Sequence, residues 1–216
     1  MRIQKLFRPF LLISLLALSG CNKKASEVID FGTFEGSSFS HDFLGFEIQF
    51  PEGWAVLGHQ DLEAMAKFGG ELLAGEDENL KAVVDASELN AVNLFNVSKY
   101  EMGSAVPSNP ALTAVAERML FMPGIKVGKD YLFHAQKLLE QSSVQVVFPK
   151  EVYPVTLGGR EFYVMETQMQ FPGVSVNQKY YSCVDRRYAL SFIATYNTPE
   201  EAATLDAVLR TLSFKD

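Results

Sequence analysis

Apolar and polar positions change period several times along this chain, and each change marks an element. Phe10-Leu11-Leu12-Ile13-Ser14-Leu15-Leu16-Ala17-Leu18 is a nearly unbroken apolar run. Phe46-Glu47-Ile48-Gln49-Phe50 instead alternates strictly, which places three apolar side chains on one face of a strand. Pro51 stops the pairing and Gly53 permits a turn, so Trp54, the only tryptophan, can cover a sheet edge or the core. From Asp61 to Leu73 the residues Leu62, Met65, Ala66 and Leu73 suggest an amphipathic helix, weakened by Gly69-Gly70. A second short helix is expected to include Leu80 to Val84.

Val92 to Tyr100 reads as a strand. Asn109-Pro110 reads as a helix start, with Asn109 as N-cap, and that helix is expected to run to about Phe121 before Pro123-Gly124. Another begins near Asp130, since Tyr131, His134, Ala135, Leu138 and Leu139 share a face at helical spacing. From Val144 to Tyr196 β-branched and aromatic residues dominate between compact turns, which predicts an antiparallel meander. Gly158-Gly159 joins Val152–Leu157 to Arg160–Gln170, and Pro172-Gly173 turns into Val174–Val184. Asp185-Arg186-Arg187 leads to Tyr188–Thr195. Thr198-Pro199-Glu200-Glu201 then combines a capping box with a proline in the first turn, ahead of the stripe Leu205, Val208, Leu209 and Leu212.

The apolar run near the start follows Arg2, Lys5 and Arg8 with no acid among them, the layout of a secretory signal peptide. It is roughly half of the ~20 apolar residues that a bilayer-spanning helix needs. Leu18-Ser19-Gly20-Cys21 resembles the lipobox of bacterial lipoproteins. That resemblance implies cleavage between Gly20 and Cys21, a diacylglycerol on the Cys21 thiol and an N-acyl chain on its freed amine. Because stable anchoring takes two chains or more, this modification alone would hold the protein on a membrane. Asn22 in place of an aspartate favours the periplasmic face of the outer membrane. The expected organisation is a signal peptide over 1–20, a lipidated cysteine and Gly/Ser-containing tether over 21–41, and a globular domain over 42–216.

Charge narrows the partners. Nineteen basic residues against 26 acidic ones give a net −7, and loss of the basic leader makes the mature chain more acidic still. Such a domain repels phosphates, so no nucleic-acid partner is expected, and adhesion to anionic headgroups is left to the acyl chains. Only two cysteines are present. With Cys21 lipidated, Cys183 reads as a small buried apolar side chain on a strand, the alternative being an intermolecular disulfide.

Reactive constellations are sparse. His41, His59 and His134 are far apart, in the expected tether, an early loop and a helix face, and neither they nor the cysteines have metal-ligand spacing. His134 reads as a core-edge residue with one satisfied nitrogen. No Gly-x-Ser-x-Gly elbow, Ser-x-x-Lys start or phosphate-binding loop occurs. Glu71, Glu76, Asp77 and Glu78 lack the spacing of a calcium loop and read as a solvated helix end. No metal and no cofactor beyond the acyl groups is therefore expected. Tyr180, Tyr181, Tyr188, Tyr196 and Phe192 could line an apolar cleft or partner surface, although packing across strands accounts for most of them. Of these, Tyr180 and Tyr181, with Arg186 and Arg187 at a turn suited to gripping an anion, form the candidate binding set.

The chain resembles the PsbP-like superfamily, which includes bacterial DcrB-type lipoproteins. The resemblance rests on Phe46-Glu47-Ile48-Gln49-Phe50-Pro51-Glu52-Gly53-Trp54, on Val155-Thr156-Leu157-Gly158-Gly159-Arg160-Glu161-Phe162-Tyr163, and on Tyr188-Ala189-Leu190-Ser191-Phe192 with the terminal helix into Leu212-Ser213-Phe214. It implies an α+β fold, an antiparallel sheet with helices packed on its faces. The stretch from about His59 to Leu89 is longer and more helical than that pattern. The superfamily consists mainly of binding and assembly factors without a shared catalytic set. The expected function is therefore a lipid-anchored, non-enzymatic binding or assembly module meeting an envelope protein. A carrier of a small apolar or lipidic ligand and an unrecognised envelope hydrolase are the alternatives.

Overall fold

The computed structural model describes residues 29–120, 122–171 and 173–215, so Gly20, Cys21 and the expected signal peptide, like Phe121 and Pro172, lie outside the described residues. The chain opens with strands β1 (Thr33–Glu35), β2 (Ser38–His41), β3 (Phe46–Gln49) and β4 (Ala55–Val56), then helices α1 (His59–Ala74) and α2 (Glu78–Glu88). Strands β5 (Ala91–Ser98) and β6 (Ala111–Arg118) precede helix α3 (Gly128–Gln141). The meander follows as β7 (Gln145–Val147), β8 (Tyr153–Leu157), β9 (Arg160–Phe171), β10 (Val174–Asp185) and β11 (Tyr188–Tyr196). Helix α4 (Pro199–Leu209) and strand β12 (Ser213–Phe214) close the fold.

These elements stack in layers. A large antiparallel sheet, in the order β4-β5-β6-β11-β10-β9-β7 with β8 also paired to β9, carries helices α1, α2 and α3 on one face. Its other face meets α4 and a small sheet of order β1-β2-β3-β12. Strand alternation sorts the side chains between the two faces. On β11, Tyr188, Leu190, Phe192 and Ala194 enter the main core beside Phe39, Phe46, Phe95 and Phe162. The rings of Phe46 and Phe192 meet edge-on at 5.5 Å, joining the two sheets. Full burial of each such side chain stabilises the fold by about 1.5–3 kcal/mol.

On the helical face, Leu132 and Leu139 of α3 pack against Met165 and Met169 of β9. Gly128 lets α3 touch the sheet backbone, since a Cβ there would lie 1.8 Å from the carbonyl oxygen of Ser182. Gly70 does the same between α1 and α2, where a Cβ would meet Val84 at 2.7 Å. The Gly69-Gly70 pair therefore sits inside a continuous helix, because close packing outweighs poor intrinsic propensity.

Two sequence expectations are corrected. The folded body begins before residue 42: Ile29 is buried, Phe39 is fully buried, and β1 and β2 lie inside the segment read as tether. His41, 1 % exposed, accepts from the Leu44 N–H through Nδ1 and turns Nε2 to the Asp30 carbonyl at 3.0 Å, which makes it a structural residue. The helix expected from Asn109 is strand β6. Its residues Leu112, Ala114 and Ala116 are buried at period two, and Asn109 bonds both the N–H and the carbonyl of Tyr100 across the β5–β6 connection instead of capping a helix.

Candidate functional site: a cleft between α2 and α3

Helices α2 and α3 both lie on the large sheet, and Leu80 and Val84 of α2 meet Leu138 of α3 and Ala74 of α1 in a packed cluster. Beyond it a cavity of about 600 Å³ opens, walled by Ala82, Val83 and Ala86 from α2, Ala135 and Leu138 from α3, and Met122 and Ile125 from the loop before α3. Each helix is set locally. The Asp77 carboxylate caps α2 by accepting from the N–H groups of Asn79 and Leu80 at 2.9 and 3.0 Å. Asp130 accepts from the N–H groups of Lys126 and Val127 at 2.9 and 3.1 Å, and these bonds hold its carboxyl below the usual carboxylate range.

Glu117, at the end of β6, lines this cavity and is only 6 % exposed. The Tyr131 hydroxyl donates to its Oε2 at 2.8 Å and the Ser87 hydroxyl to its Oε1 at 2.9 Å. On the neighbouring strands, Ser191 and Ser182 share a buried 2.7 Å hydrogen bond. Burial, and then the Glu117 charge, push the Tyr131 phenol well above its ordinary pKa. A neutral phenol is thus a fixed donor to the carboxylate.

A larger groove of about 860 Å³ runs over the other end of the same face. Its floor is polar and internally satisfied, Asn96 donating to Thr113 at 2.8 Å and Gln178 to Thr195 at 3.0 Å.

The sequence-derived candidates are not gathered in either place. Tyr180 and Tyr181 point to opposite faces of β10: Tyr180 packs under α3, while Tyr181 enters the main core and donates to Asp206 of α4 at 2.7 Å. Asp206 also holds Lys179 at 3.2 Å. Burial raises both phenol pKa values, with the Asp206 bond adding to the shift of Tyr181. Arg186 donates to the Phe43 carbonyl and stacks over the Phe43 ring at 5.9 Å, and Arg187 is exposed beside it. The four residues therefore form no common surface, and the Arg186 side chain is engaged with Phe43. Cys183 is buried on β10 with its thiol pushed up to about 12 by burial. His134 is exposed and lines the α2–α3 cavity. Among the described residues, no group of three or more His, Cys, Asp or Glu side chains is placed to hold a metal.

Sequence reading missed Glu117, Tyr131 as its partner, and Ser87. The available signal was alternation over Ala111–Arg118, which sets Glu117 on the same face as Thr113 and Val115 once the segment is read as a strand.

At the level of sequence, no protein family and no curated protein matches this chain. Among solved structures, cyanobacterial PsbP of Synechocystis is similar, with a TM-score of 0.48 and 12 % identity over 85 % of this chain and 96 % of that one. LpqN of Mycobacterium tuberculosis, described as involved in cell envelope biogenesis, gives 0.42 and 12 % over 85 % and 87 %. A Pseudomonas aeruginosa protein of unknown function, described as a putative regulator, gives 0.44 and 12 % over 59 % and 83 %. The strands and helices described above make the chain an α+β protein, and these likenesses bring none of those proteins' activities with them.

Proposed function

We propose that this chain is a lipid-anchored, non-enzymatic binding module of the bacterial cell envelope, and that it takes the apolar part of a small ligand into the α2–α3 cleft. The observation that carries the reading is the cleft itself, a mainly apolar concavity of about 600 Å³ with the buried Glu117 cluster inside it and Arg118, His134 and Lys137 also in its lining. Binding sites for small molecules span ~300–1,000 Å³ and combine apolar walls with a few convergent polar groups. The Leu18-Ser19-Gly20-Cys21 pattern supports the anchor, and Asn22 after it supports the outer membrane as its place. Residues 29–215 contain every described strand and helix, so a chain starting at Asn22 carries the whole described fold. Native mass spectrometry of that chain, exported without its lipid, should show a co-purifying small molecule that is lost with Ala86→Trp. Recovery of an empty protein in repeated preparations would sink the reading. For the anchor, Cys21→Ser should abolish fatty modification and release the protein from membranes.

An envelope-protein partner is the second reading, favoured by Phe68 and Leu72, which stand exposed one turn apart on α1. A photo-crosslinking residue at position 68 in intact cells should then capture one envelope protein reproducibly.

A further inference from the structure

The Glu117 carboxylate is the deepest unresolved charge of the cleft. Its two oxygens receive only neutral O–H donors, from Ser87 and Tyr131, although an ionised carboxylate offers about four acceptor positions. Among the described residues it has no ion pair. The cationic side chains of the same lining are Arg118, His134 and Lys137. Lys137 is held by Glu140 at 2.6 Å, and none of the three lies within ion-pairing distance of Glu117. Lys137 and His134 are exposed, whereas Glu117 is buried. A carboxylate removed from water without a cation is costly, and the cost is relieved when a cation joins it in the same dry space.

We infer that the cleft's ligand is a small amphiphilic cation, an alkyl- or arylamine. Its ammonium donates to the free acceptor positions of Glu117, and its hydrocarbon body lies between Ala86 and Ala135. An acidic amphiphile of the same shape would place its charge against Glu117 and be rejected. This inference rests on the cleft being a binding site, and adds the charge of what binds there.

The test uses octylamine, octanol and octanoate, which share one hydrocarbon chain and differ in head group. Each is titrated calorimetrically into the chain starting at Asn22, near pH 7, where an alkylamine is protonated as lysine is. Octylamine should bind at least about tenfold more tightly than octanol, a difference of ~1.4 kcal/mol, and octanoate more weakly than both. Glu117→Gln should bring octylamine to the level of octanol, while Ala86→Trp should weaken all binding. Equal affinities for the three heads, with Ala86→Trp still abolishing binding, overturn the charge inference and leave the cleft reading standing. Tighter binding of octanoate overturns the charge inference in the same way. Absence of binding by all three, or binding indifferent to Ala86→Trp, overturns the cleft reading and the inference with it. The head-group comparison uses the unsubstituted protein, so it decides the matter even if Glu117→Gln does not fold.

Discussion

Tyr131 of α3 and Glu117 of β6 are joined by a 2.8 Å hydrogen bond that crosses from the helical layer to the sheet. Its direction is fixed, because an ionised carboxylate can only accept. With the Tyr131 proton committed to Glu117, the phenol oxygen can only accept from any further partner. One carboxylate therefore ties α2, through Ser87, and α3, through Tyr131, to the end of β6.

Tyr131→Phe should accordingly destabilise the protein by about 1–3 kcal/mol, since it strips one donor from a buried carboxylate. Ser87→Ala should cost about 1 kcal/mol, since it removes the other donor to the same carboxylate. Urea denaturation of the two variants measures both. A Tyr131→Phe curve superimposable on the parent would show that the Tyr131–Glu117 bond adds no net stability.

The raised phenols give the protein a defined alkaline limit. Burial is the largest cause for Tyr131, Tyr153, Tyr180 and Tyr181, and contacts with Glu117, Glu166 and Asp206 add to three of them. Each folded-state pKa lies above the unfolded value of about 10, so the unfolded chain loses protons first as pH rises. Their stabilising contribution is complete below pH ~10 and falls away as pH climbs towards the folded values. Phenolate absorbance should therefore show these tyrosines ionising together with loss of circular dichroism. Early ionisation of all the tyrosines in a folded protein would contradict their burial.

Local signals and tertiary ones divide what the sequence disclosed. The Thr198/Glu201 capping box with Pro199, and the hairpin at Gly158-Gly159, lie where short-range rules place them. Those rules failed at Asn109-Pro110, where a capping signal also fits a residue that ties a β connection, and only the sheet decides between them. They failed again at residues 33–41, whose Gly and Ser suggested a tether while Phe34 and Phe39 were being drawn into the core by β3 and β5. The cleft was hidden for the same reason: Ser87, Glu117 and Tyr131 come from three elements, and misreading β6 as a helix removed the middle one.

The paired glycines of α1 offer a test within two adjacent positions. A Cβ at Gly69 meets nothing within 4 Å, so Gly69→Ala should stabilise the helix by ~0.5–1 kcal/mol. A Cβ at Gly70 would stand 2.6 Å from the Glu88 carboxylate and 2.7 Å from Val84, so Gly70→Ala should push α2 away and destabilise. Chemical denaturation should give opposite signs. Equal effects would mean that α1 and α2 do not approach as closely as described.

The β10–β11 turn makes the last prediction, because its two central residues are both arginines with positive φ, 48° at Arg186 and 69° at Arg187. Asp185 pairs with Tyr188, leaving a two-residue loop of the primed kind that favours Asn-Gly. A side chain in the left-handed region costs about 1–2 kcal/mol, and the two positions are compensated differently. Arg186 recovers that cost through the Phe43 carbonyl and ring, and it stands 3.8 Å from Asp185, which itself binds Arg160 at 2.6 Å. Arg187 contributes through its backbone, whose carbonyl accepts from the Met119 N–H at 2.8 Å, and a glycine would retain that bond. Arg187→Gly should therefore stabilise by ~0.5–1 kcal/mol after the added freedom of the unfolded chain is subtracted, raising Tm by about 2 °C. Arg186→Gly loses its anchors to Phe43 and should lower Tm. A calorimetric scan in which Arg187→Gly melts earlier than the parent would show that the Arg187 side chain, and not only its carbonyl, holds the turn.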